Sequence, residues 1–106
     1  MSYHMALDVK ALRKSIGLTQ EQLAALMGIT SITVNRWEHK RTEPTDYQVA
    51  LLGRLELAAR CADAKRIGPM LAADGPMAGL TFLLNLAANQ EARRTTGRRA
   101  GGVGGG

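Results

Sequence analysis

The chain has 106 residues, 45% hydrophobic but only 4% aromatic, and a net charge of +5. That length allows one domain at most. The core must come from Leu, Ala, Ile, Val and Met, and no segment alternates as a half-buried strand does, so an all-α fold is expected. Residues 1–92 carry ten Lys and Arg against nine Asp and Glu; the other four cations are Arg93, Arg94, Arg98 and Arg99. The basic balance therefore belongs mostly to a tail and is weak evidence for nucleic acid.

Taken in order, the first predicted helix runs from about Leu7 to Ile16. Val9, Leu12 and Ile16 share one face, Asp8 suits its positive end, and Gly17 stops it. The second opens at Thr19, which with Gln22 forms a capping box, and ends at Gly28. Its inner face is Leu23, Ala24, Leu26 and Met27. Thr30 caps a third helix, from Ser31 to about His39, in which Val34 and Trp37 point inward while Ser31, Asn35 and Arg36 lie on other sides.

After the charged turn His39–Pro44, Thr45 or Asp46 caps a fourth helix reaching about Ala62, with Tyr47, Ala50, Leu51, Leu55 and Ala58 as its inner stripe. Gly68-Pro69 and Gly75-Pro76 bracket a short helical turn around Met70–Ala73. A fifth helix, about Met77 to Arg93, carries more apolar surface than one side needs, which suggests subunit contact. TTGRRAGGVGGG has nothing to bury and is expected to be flexible.

Cys61 is the only cysteine and His4 and His39 the only histidines. An internal disulfide is thereby excluded, and no spacing supports a metal or a cofactor. Met1–Met5 lacks the basic and apolar regions of a secretory signal, and Met77–Ala88 falls short of the about 20 residues that span a bilayer. A cytoplasmic protein without a membrane partner is the expectation. Neither paired carboxylates, nor a glycine-rich phosphate loop before a Lys, nor a Cys–His arrangement marks an enzyme.

The segment 18–44 is the informative one. Gly28 tolerates positive φ and lets two helices meet steeply, while small Ala24 lets them approach closely. Ile29, Val34 and Trp37 lock the third helix down, leaving its other face free for base edges. The run LRKSIGLTQEQLAALMGITSITVNRWEHKRTEP resembles the Cro/repressor-type (XRE-like) helix-turn-helix family of transcription regulators. Arg13, Gly17-Leu18-Thr19-Gln20, Leu23-Ala24, Gly28-Ile29, Val34 and Trp37-Glu38 carry that resemblance, over roughly residues 6–60.

The resemblance implies that Gln20 touches a phosphate and braces the recognition helix. It places Ser31, Ile32 and Arg36 at groove-facing positions, Lys40 and Arg41 at the DNA backbone, and Arg13 with Glu38 in an internal salt bridge. Thr30, Thr33 and Asn35 complete the candidate DNA-binding set. The chain departs from its relatives at Ile32, often polar, which can make only apolar contact, as with a thymine methyl, and at Lys40, often glycine, where a turn of different shape is expected. Each candidate also has a plainer role: Thr30 is a cap, Ile32 could pack on the second helix, and Lys40 and Arg41 could be a solvated turn.

The expected architecture is thus a five-helix bundle of the phage-repressor type with an extra C-terminal helix and a disordered tail. Its parts are a helix-turn-helix domain at 1–64, a helical extension at 65–93 that serves dimerisation, and the Gly/Arg tail at 94–106. The expected function is sequence-specific recognition of double-stranded DNA, as a homodimeric repressor. Rival readings are an antitoxin that also covers a toxin partner, and an adaptor that binds protein but not DNA.

Overall fold

A computed structural model describes the backbone from Leu7 to Val103 and side chains as far as Arg93. Helices α1 (Val9–Ser15), α2 (Gln20–Met27), α3 (Ser31–Glu38) and α4 (Asp46–Ala58) come first. A 3-10 turn (Ala62–Arg66) then leads to α5 (Ile67–Asp74) and α6 (Pro76–Val103). All described elements are helical. α6 continues past the expected end at Arg93, so that the backbone of 94–103, the first part of the expected tail, belongs to it, while the side chains of 94–106 lie outside the described residues, as does His4.

The first four helices start on side chains that satisfy orphan N–H groups. Asp8 accepts from the Ala11 N–H and Thr30 from the Thr33 N–H. Thr19 with Gln22, and Thr45 with Gln48, form complete capping boxes. The first three helices also stop alike, each on a left-handed residue: Gly17 and Gly28 at φ 73° and Lys40 at φ 60°. In each case that residue and the next donate back into the helix, as Lys40 N–H does to Trp37 O and Arg41 N–H to Arg36 O.

One buried cluster runs from Val9 through Leu12, Ile16, Leu23, Val34 and Trp37 to Leu52, Ile67, Leu83 and Ala87. In α4 the expected stripe is corrected. Tyr47 is 76% exposed and Ala50 is exposed, whereas Leu52 joins Leu55 and Ala58 inside. Apolar residues lie on two sides of this helix, and the face against α6 becomes the core. The helix also stops at Ala58, earlier than expected.

Gly68 and Pro69, expected to break structure, fall in the first turn of α5. Backbone N–H groups there have no partner within the helix, so proline costs little. Gly68 also lies against the α1–α2 turn, where an added Cβ would stand in ordinary contact, 3.4 Å from Leu18 Cδ2. At Gly79 a Cβ would come within 2.8 Å of Leu71 Cδ2, so a side chain at the α5–α6 crossing would have to displace the Leu71 side chain.

α6 packs against α4, α5 and α2. Its apolar width is largely consumed by those three neighbours: Leu83, Leu86 and Ala87 are buried, and Phe82 is half-buried beneath the Arg66 guanidinium, 5.3 Å from the ring centre. Met77 and Leu84 remain its exposed large hydrophobics.

Candidate nucleic-acid interface

α3 is anchored from one side. Val34 and Trp37, three residues apart, are buried, and Glu38 at its last turn is tied to α1 and α2. Arg13 Nε donates to Glu38 Oε2 at 2.7 Å, and Arg13 Nη2 to Oε1 at 3.2 Å. Arg13 Nη1 donates to the Leu18 carbonyl at 2.9 Å. Gln20 Nε2 donates to Glu38 Oε1 at 2.9 Å. One planar guanidinium thus joins α1, the α1–α2 turn and α3, which a lysine's single point charge could not do.

The network also settles the electrostatics. The side chains of Arg13 and Glu38 are only 10% and 3% exposed. Burial pushes the Glu38 carboxyl up, but hydrogen bonds from Arg13 and Gln20, with the charges of Arg13 and Lys10, outweigh it. The carboxyl is held below its ordinary value. An anionic residue at the end of a helix aimed at DNA would repel phosphate; here its charge is matched internally.

The opposite side of α3 is open. Ile32 is 61% exposed, Asn35 and Arg36 are exposed, and Ser31 and Thr33 are half-buried. Thr30 and Thr33 share a hydroxyl–hydroxyl hydrogen bond of 3.0 Å, and Thr30 also holds the Thr33 N–H. Both therefore serve the cap first. Gln20 has one amide proton committed to Glu38, leaving its other for a second acceptor. Lys40 and Arg41 are exposed in the turn after α3, within a few residues of Arg36. Most of Ile32 is left uncovered, against its plainer reading as a residue packed on α2.

Sequence reasoning named Gln20 as a brace of α3 without naming its partner Glu38, and it missed the left-handed Lys40. The latter had a visible signal, since position 40 stands to α3 as Gly17 stands to α1 and Gly28 to α2. A lysine there keeps the glycine shape at a cost of roughly 1–2 kcal/mol. Lys40→Gly should accordingly raise thermal stability by about 1 kcal/mol, measured by urea unfolding, while removing one cation beside Arg36 and Arg41. A stability that fell would show that the left-handed backbone is not a burden.

Residues 9–55 match the family model described as Helix-turn-helix. Over this stretch, a little under half of the chain, the protein is similar to Cro/repressor-type helix-turn-helix domains, DNA-binding units of transcription regulators. No curated protein and no solved structure matches the chain. Among the described residues no helix is long and apolar enough to cross a membrane, and no group of three metal-ligating side chains gathers.

Proposed function

We propose that the protein is a sequence-specific repressor of transcription, working in the cytoplasm as a homodimer on double-stranded DNA. α3 enters the major groove, Ser31, Ile32, Asn35 and Arg36 meet base edges, and Gln20, Thr30, Thr33, Lys40 and Arg41 meet the sugar–phosphate backbone. The observation that carries this reading is the division of α3: buried Val34 and Trp37 and a neutralised Glu38 on one side, exposed Ile32, Asn35 and Arg36 on the other. Two copies would read half-sites about 34 Å apart.

Arg36 presents a fork that suits guanine O6 and N7. Arg36→Ala should weaken binding to a selected duplex by roughly 1–3 kcal/mol and relax preference at one base position. Fluorescence anisotropy reads the first effect and repeat selection the second. Binding should fall steeply with salt as phosphate counterions are released. A protein with no retention on random duplex at low salt would be an adaptor instead.

For the dimer, α6 offers an exposed strip of Met77, Thr81, Leu84, Asn85 and Ala88 with no charge in it. Leu84→Glu should turn a dimer into a monomer in sedimentation analysis while leaving the protomer folded, because Leu84 is exposed already. A dimer that survives this change uses another surface.

A further inference from the structure

Ile32 is the one large apolar side chain that α3 presents to solvent. It lies second in the helix, in the turn whose residues reach base edges when a helix-turn-helix docks. Its surroundings on α3 are Ser31, Thr33, Asn35 and Arg36, all hydrogen-bonding groups. On α3 it therefore has no exposed apolar neighbour with which to form a patch of the kind a protein partner would cover. Being β-branched and helical, it is held close to one rotamer and acts as a stiff knob.

The floor of the major groove consists of hydrogen-bond donors and acceptors with a single apolar group, the thymine 5-methyl. An isoleucine pressed on a cytosine or adenine amino group would strip its water and return no hydrogen bond. Pressed on a thymine methyl it buries two apolar surfaces together. We infer that Ile32 is a specificity-determining residue that selects a T·A pair in each half-site by contact with the thymine methyl. The inference rests on the groove reading proposed above and adds the identity of one base to it.

The test begins with selection from a random duplex pool, using the full chain and Ile32→Ala in parallel. The wild type should enrich thymine at one position of the motif, and the variant should lose that preference while keeping the rest. The selected duplex is then remade with deoxyuridine at that position, which deletes only the methyl. Wild-type affinity should fall roughly threefold to fivefold per methyl removed, and Ile32→Ala should bind both duplexes alike.

A wild type indifferent to deoxyuridine overturns the assignment without recourse to any variant, so a variant that folds poorly leaves the test intact. An equal loss in wild type and Ile32→Ala overturns it too, because another side chain would be reading the methyl. In both cases a selected motif still stands and the groove reading survives. Failure to select any motif removes the groove reading and this inference together.

Discussion

Arg13→Ala is expected to destabilise the fold by about 3–5 kcal/mol, the usual loss when one partner of a buried ion pair is removed. The guanidinium holds both oxygens of Glu38 and the Leu18 carbonyl, and all three acceptors lose a donor at once. Gln20 alone remains for a carboxylate whose side chain is almost fully buried. Replacing both members, as Arg13→Met with Glu38→Leu, should recover much of the loss, because no buried charge is then stranded. Urea unfolding measures each step; a single variant within about 0.5 kcal/mol of wild type would show the bridge to be decorative.

The same pair sets a pH dependence. The folded carboxyl of Glu38 titrates below its unfolded value. Its contribution is therefore fully present above the ordinary carboxylate range, about pH 4, and fades as pH falls through the lowered folded value. In Arg13→Ala the lowering influences of Arg13 are gone while burial still raises the carboxyl. The deficit of the variant should thus shrink on acidification, since a protonated Glu38 is easier to bury. A deficit that grew toward low pH would contradict this account.

Leu83→Ala should cost about 2–5 kcal/mol. Leu83 is fully buried in α6, which packs on α4, α5 and also α2. A single domain of this size holds roughly 5–15 kcal/mol in all, so one truncation in α6 should visibly lower the unfolding midpoint of the helix-turn-helix. Trp37, the only tryptophan, lies buried in α3 and reports on that part by fluorescence. If Trp37 unfolds at the same urea concentration in wild type and variant, α6 is an appendage rather than part of the DNA-binding core.

The helix starts were legible because caps act locally: Thr19, Thr30 and Thr45 each satisfy an N–H three residues on. The inward positions of α1, α2 and α3 were legible for a similar reason, since polar residues flank a narrow apolar stripe. α4 was not, because Leu51 and Leu52 offer two rival faces and only the distant α6 chooses between them. Much of the width of α6 has the converse reason: a helix touching three others needs more than one apolar side. At the interface, the Arg13–Glu38 pair followed from family resemblance. The backbone state of Lys40 was signalled by its place, where relatives often carry glycine and where α1 and α2 end on Gly17 and Gly28, and masked only by the lysine itself.

Because α3 grips the body with Val34, Trp37 and Glu38 and faces outward with Ile32, Asn35 and Arg36, the two jobs share no side chain. Mutational drift at the outward trio meets no resistance from folding. If those three side chains read DNA as proposed, a lineage carrying this scaffold could change its target in single steps, and a library randomised at those three codons should yield folded proteins throughout.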